Sequence, residues 1–84
     1  MLYEITLDRT KLKDYQVGEI NGIFWALTGM PRRWYARQEN KEHTICILRH
    51  EANRDDFTRA CEVIEGLYPG RIIASKDCGI LEEA

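Results

Sequence analysis

The sequence predicts an α+β fold of the ferredoxin-like type, with a four-stranded antiparallel sheet and two helices on one face. Its extended and helical segments follow the order β-α-β-β-α-β, which is the split βαβ pattern. The 84 residues suit one domain, residues 1–84, with a tail at 76–84 that is either docked or disordered.

Composition limits the class of protein. The net charge of −2 disfavours both a basic protein that coats nucleic acid and a strongly acidic nucleic-acid mimic. Three widely spaced cysteines without a C-x-x-C pair predict reduced thiols. The chain opens without a secretory signal and no apolar run approaches membrane length, so we expect a cytoplasmic location and no membrane partner.

The longest helical pattern runs from Asp14 to Met30, and the rest of the fold is organised around it. Its large apolar side chains recur at helical spacing and predict one buried arc formed by Val17, Ile20, Ile23, Phe24 and Leu27. We expect Asp14 to cap the start of this helix, and Gly29 followed by Pro31 predicts its end.

Alternating polarity predicts the strands. The first covers residues 2–7, residues 32–38 and 43–49 form a hairpin, and the last strand covers residues 71–75. A second helix, capped by Asn53, precedes that last strand.

The hairpin register decides which side chains are buried. We expect Gln38 opposite His43, which turns Ala36, Ile45 and Ile47 toward the helices. The predicted core is Ile5, Leu7, Ile20, Phe24, Leu27, Ile45, Ile47, Phe57, Ile64 and Ile72. The opposite sheet face is the expected site of function and would carry Glu4, Thr6, Arg33, Tyr35, Arg37 and Thr44.

Three residues on that face form a candidate nucleic-acid site. Arg33, Tyr35 and Arg37 combine cations with an aromatic ring, the mixture that binds phosphates and stacks on bases. The same residues also suit an ordinary edge strand whose charges prevent aggregation.

A second candidate site lies on the first helix. Gly18 and Gly22 are one turn apart and beside Trp25. Two glycines within a helix indicate a close approach by another group, because each costs about 1 kcal/mol relative to alanine. That group is either a neighbouring element, such as Ile80 and Leu81 in the tail, or a partner protein that uses Trp25 as an aromatic anchor.

No pattern in the sequence indicates catalysis. His43 and Cys46 fall on opposite sides of a strand and His50 is distant, which disfavours a metal site and a Cys–His nucleophile pair. Asp8 is expected to be a capping or turn residue. Without a nucleotide-binding or phosphate-binding motif, we expect no catalytic residues, no metal, no cofactor and no enzymatic activity.

The segments MLYEITLD, EINGIFWAL, WYAR and ICILRHE resemble the first ferredoxin-like domain of Cascade-type CRISPR repeat-RNA endonucleases. The helix motif of that family reads roughly Leu-His-x-x-Leu-Trp, and its positions are occupied here by Ile20, Asn21, Phe24 and Trp25. Asn21 stands at the position of the catalytic histidine, and the chain has no room for the second domain of that family. The resemblance therefore implies an RNA-binding ancestry without cleavage.

Three function classes follow. The first is a non-enzymatic protein-binding module that regulates or inhibits a larger host complex, by analogy with the phage and mobile-element inhibitors of CRISPR machinery called anti-CRISPR proteins. The second is an RNA-binding module that uses the open sheet face. The third, a small enzyme of the acylphosphatase shape, is disfavoured because LDRTKLKD lacks the phosphate-binding loop of that family. The sequence does not predict the oligomeric state.

Overall fold

The computed structural model describes residues 1–28 and 35–79, apart from the side chains of Thr28 and Tyr35. Its helices and strands are β1 (Leu2–Asp8), α1 (Asp14–Thr28), β2 (Tyr35–Glu39), β3 (Ile45–Glu51), α2 (Arg54–Leu67) and β4 (Ile72–Gly79), with one 3₁₀ turn at Arg9–Lys11. All neighbouring strands are antiparallel, in the order β2-β3-β1-β4. The predicted α+β, ferredoxin-like fold is confirmed. Neither described helix has the length and apolar character needed to cross a membrane.

Both helices pack on one face of the sheet, and an aromatic cluster joins the sheet to both helices. The Tyr3 ring of β1 stacks on the Phe57 ring of α2, with centroids 4.3 Å apart. The Phe24 ring of α1 lies 4.8 Å from the ring of His50 on β3 and 5.8 Å from Phe57. Phe24 is 1% exposed, so the prediction that it occupies the centre of the core is confirmed.

The prediction for the hairpin was wrong about which face of β3 is buried. Cys46, Leu48 and His50 point into the core, whereas Ile45 is 37% exposed and Ile47 is only half-buried. The reason is the pairing with β1, in which Ile5 lies opposite Leu48. Since directly opposite residues share a face, burying the apolar side of β1 turns the even-numbered residues of β3 inward.

The predicted hairpin register was also wrong. Gln38 lies opposite Ile47 rather than His43. The side chain of Asn40 holds the connecting loop in place, because its Oδ1 accepts hydrogen bonds from the backbone N–H groups of Thr44 at 2.9 Å and Ile45 at 3.1 Å. His43 in this loop adopts a left-handed backbone conformation with φ of 55°.

Two further boundaries differ from the predictions. Asp14 is the first residue of α1 and does not cap it. Its carboxylate accepts hydrogen bonds from Arg9 and Arg37 instead. The last strand runs on to Gly79, beyond the predicted end at residue 75, because Lys76 pairs with Glu4 of β1. Residues 80–84 of the tail lie outside the described residues.

Two capping predictions are confirmed. Asn53 caps α2, since its side-chain oxygen accepts a hydrogen bond from the backbone N–H of Asp56 at 2.8 Å. Asp8 caps the 3₁₀ turn by accepting hydrogen bonds from the backbone N–H and the hydroxyl of Thr10. Among the rest of the predicted core, Leu27 and Ile72 are only partly buried against the other side chains.

Candidate protein-binding surfaces

The open face is the side of the sheet turned away from both helices. The strand pairings place residues of all four strands on it, among them Glu4, Thr6, Ala36, Gln38, Ile45, Ile47, Arg49 and Lys76. Glu4 and Thr6 were predicted here correctly. Thr44, also predicted for this face, lies instead in the loop between β2 and β3.

The part of the open face formed by β2 and β3 carries an apolar pair. Ile45 and Ile47 occupy successive positions of β3 on this side, and Ala36 of β2, opposite Arg49, is diagonal to Ile47. They line two adjoining shallow depressions of about 260 Å³ and about 200 Å³, which share Gln38 and Ile47. Burying an isoleucine side chain fully contributes roughly 1.5–3 kcal/mol. Because Ile45 and Ile47 are only partly buried, a binding partner that covers them would gain part of this energy.

The part formed by β1, β3 and β4 carries a charge cluster. The Glu4 carboxylate, 9% exposed, accepts a hydrogen bond from Arg49 Nε at 2.7 Å and lies 3.3 Å from Lys76 Nζ. Burial alone would raise the pKa of Glu4, but the bonds from Arg49 and Lys76 outweigh it and hold the pKa below its ordinary value. One carboxylate thus interacts with both cations.

Arg37 does not lie on the open face, contrary to the prediction. It lies opposite Leu48, whose side chain is in the core, so Arg37 is on the helix side of β2. Its Nη2 atom is 3.1 Å from Asp14 Oδ1 at the start of α1 and 2.9 Å from Glu39 Oε2. Burial would lower the pKa of this guanidinium, and the two carboxylates raise it instead. Arg37 therefore ties the edge strand to α1.

The other two residues of the predicted RNA site are Arg33 and Tyr35. Arg33 lies outside the described residues, and Tyr35 begins β2 with a side chain that is not described. Arg37 is the cation of this site that the structure describes, and it pairs with Asp14 and Glu39 on the helix side of the sheet. Its charge is therefore not presented on the open face. The RNA-binding alternative remains a prediction.

The outer side of α1 carries the second predicted site. Gly18 and Gly22 are exposed, and a methyl group built on either of them would meet no atom within 4 Å. Trp25 is half-buried at the same flank, and Tyr15, which the sequence analysis did not single out, is 62% exposed on the same side. Close packing by a described element therefore does not explain the two glycines, and the proposed partner Ile80–Leu81 lies outside the described residues.

Asn21 has a structural role. Its side-chain Oδ1 lies 3.0 Å from Nε2 of His50, a buried residue on the adjacent strand. Burial lowers the pKa of His50 to about 4, so the ring is neutral near pH 7 and its Nε2–H donates to Asn21. Asn21 thus supplies an acceptor for one nitrogen of a buried imidazole.

Comparison with models of protein families, with characterised proteins and with solved structures gives no match for this chain.

Proposed function

We infer that this chain is a non-enzymatic protein-binding module that docks on a larger complex through the open face and acts there as a regulator or inhibitor. The observation that carries the proposal is the isoleucine pair, Ile45 and Ile47, on the solvent side of the central strand β3. An antiparallel sheet that faces water on one side normally carries polar residues there. Two adjacent β-branched apolar residues on that side support an interface.

The chemistry of the open face favours a particular kind of partner. Its apolar half suits an aliphatic or aromatic anchor that enters the depressions beside Ile47. Its other half presents Lys76, 64% exposed, next to a carboxylate already satisfied by Arg49. The partner surface is therefore proposed to place an acidic residue within reach of Lys76, next to its apolar anchor.

The sequence resemblance supplies a proposed identity for the partner. Because the N-terminal half resembles a component of Cascade-type CRISPR complexes, we propose that the chain takes the place of such a component and inhibits the complex. The outer side of α1, with the exposed Gly18 and Gly22 and the half-buried Trp25, is proposed as a second contact with the same partner.

The experiment is a binding assay with a purified Cascade-type complex immobilised on a surface. The test variant is Ile45→Thr/Ile47→Thr, because threonine keeps the β-branched shape and the strand preference while removing apolar area. The matched control is Val63→Thr, which makes the same kind of change at a 40% exposed position on α2. Equal melting temperatures of the three proteins establish that each is folded.

The proposal predicts that the double variant binds at least about tenfold more weakly and that Val63→Thr binds as wild type does. Equal binding by all three proteins would show that the open face is not the interface. Failure of wild type to bind would remove the CRISPR complex as partner, and the same variants would then be tested on proteins captured from nuclease-treated cell extracts.

A further inference from the structure

The edge strand β4 and the first turns of α2 border a groove that is separate from the two depressions beside Ile47 on the open face. The groove has a volume of about 370 Å³, within the range of ligand pockets. One wall is formed by Arg54 and Thr58 of α2, and the other by Ser75 and Asp77 of β4.

The floor of the groove is aromatic. The stacked rings of Tyr3 and Phe57 lie at its base, with their planes 12° apart. The two residues are 6% and 9% exposed, so a small part of each reaches the groove. A side chain that enters from the direction of β4 would cover this remaining aromatic surface.

The outer edge of β4 forms the rim of the groove and carries backbone hydrogen-bonding groups that point away from the sheet. β4 is the last strand of the sheet and pairs with β1 alone among the described strands. From Ala74 to Asp77 the pairing is regular, and a register shift occurs on each side of this segment. On the outer edge of such a segment the N–H and C=O groups of alternate residues point away from the sheet and can receive another strand.

The groove lies on the side that an added strand would reach. Ser75 and Asp77 share the helix side of β4, because they lie opposite the inward-pointing Ile5 and Tyr3. A strand added along β4 would direct every second side chain to that side, over the aromatic floor and toward α2.

The charge at the rim indicates the chemistry of the partner. Within residues 1–28 and 35–79, no carboxylate pairs with Arg54 at the start of α2. The Lys76 ammonium lies toward the open face, 3.3 Å from the Glu4 carboxylate, and Asp77 accepts a hydrogen bond from the backbone N–H of Gly79 at 2.7 Å. On the helix side of β4, Arg54 is therefore the cation that can receive a carboxylate from outside.

We propose that this groove binds an extended peptide segment of a partner protein, which adds a strand to β4 along Ala74–Asp77. One large apolar side chain of the peptide covers the Tyr3 and Phe57 rings, and an acidic side chain two residues away pairs with Arg54. This is strand addition with side-chain pockets, in which main-chain bonds give affinity and alternate side chains give specificity. A second copy of the chain fits less well, because its own Ala74–Asp77 segment has no large apolar side chain for the floor.

The test selects ligands from a phage-displayed library of random peptides about ten residues long, the length of a long strand. The full chain serves as the target, and the enriched peptide is synthesised for NMR titration. The expected sequence has an apolar and an acidic residue in an i, i+2 relation. The expected resonance shifts fall on residues 74–77 and on the start of α2.

Two further changes make the test specific. Arg54→Glu should weaken binding about five- to tenfold, and a lysine at the acidic position of the peptide should restore it. Arg59→Glu, on the outer side of the same helix, is the matched control and should bind as wild type does. Both variants keep a helix-compatible residue, and a glutamate at the first helical position is favoured by the helix dipole.

N-methylation of the peptide backbone, one residue at a time, reads out strand pairing directly. Strand addition predicts that binding is lost at alternate residues only, those whose N–H groups face β4. The proposal is overturned if no peptide is enriched, if the shifts fall on another surface, or if Arg54→Glu and Arg59→Glu bind equally. It is also overturned by loss at every methylated position, or by a concentration-dependent dimer that pairs through β4.

Discussion

The Nε2 atom of His50 lies 3.0 Å from Oδ1 of Asn21, and this hydrogen bond joins the buried end of β3 to the middle of α1. The His50 ring also stacks on Phe24 with centroids 4.8 Å apart. Burial, rather than this bond, keeps the imidazole neutral, because a second proton would place a charge in the core. The folded state is thus tied to the protonation state of a single buried histidine.

The first prediction is that stability falls as the pH is lowered from about 6.5 to about 4. Burial lowers the pKa of His50 from 6.5 to about 4, so between these values the unfolded chain binds a proton that the folded chain does not. Stability therefore rises with pH across this window and is complete above it, with a change on the order of 1–3 kcal/mol. Urea unfolding at a series of pH values measures the change.

The control for this prediction is His43, whose side chain is 71% exposed. His43→Asn, which tolerates the left-handed backbone at that position, should keep the wild-type pH dependence. His50→Gln should flatten it. Glu4 and Glu39 have pKa values lowered from 4.5, so their contribution to stability declines only as the pH falls below about 4.5, at the acidic end of this window. An unchanged slope in His50→Gln would contradict the assignment.

The second prediction concerns Phe24 at the centre of the aromatic cluster. Phe24→Ala removes a 1% exposed ring that contacts both His50 and Phe57. The lost burial and the cavity should cost about 3–5 kcal/mol, comparable with the whole stability of a domain this small. A thermal melt of the variant within a few degrees of wild type would show that the buried side of α1 is misassigned.

The third prediction tests the orientation of β3 by truncating one side chain on each of its two faces. Leu48→Ala should cost about 2–5 kcal/mol because the side chain is 1% exposed, whereas Ile45→Ala should cost under about 1 kcal/mol. Chemical denaturation of both variants gives the two values. The reverse order would restore the orientation expected from the sequence alone.

The fourth prediction is that the glycines of α1 are not needed for folding. Gly18→Ala and Gly22→Ala should each raise the free energy of unfolding by about 0.4–1 kcal/mol, because the added methyl group meets no neighbour. If the outer side of α1 is a contact surface, the same variants should bind the partner more weakly despite their higher stability. Destabilisation by either change would reveal packing on these positions.

The ferredoxin-like fold was predictable because its elements carry strong local signals. The apolar arc of α1, the Asn53 cap of α2 and the alternation of β1 each specify their structure from nearby residues. β3 does not, since Ile45 and Ile47 on one side are as apolar as Cys46 and Leu48 on the other. Only the pairing of Ile5 with Leu48, between residues far apart in the chain, decides which side is buried.

The candidate site was less predictable for the same reason. Turning β3 over moves the isoleucines to the open face and brings Arg37 to the helix side, where it pairs with Asp14. The sequence did contain one signal for a site on the open face: β3 is apolar on both sides. An antiparallel strand with one side in water should be polar on that side. The groove between β4 and α2 was not predictable, since the sequence alone ended β4 at Ser75.

The open-face proposal is tested most directly by NMR of the chain with ¹³C-labelled isoleucine methyl groups, titrated with the binding partner. If the partner binds the open face, the methyl signals of Ile45 and Ile47 shift and broaden, while those of the buried Ile5, Ile20 and Ile64 stay in place. Signals of Ile45 and Ile47 that do not move while the partner is bound would contradict it, because the interface would then lie elsewhere on the molecule.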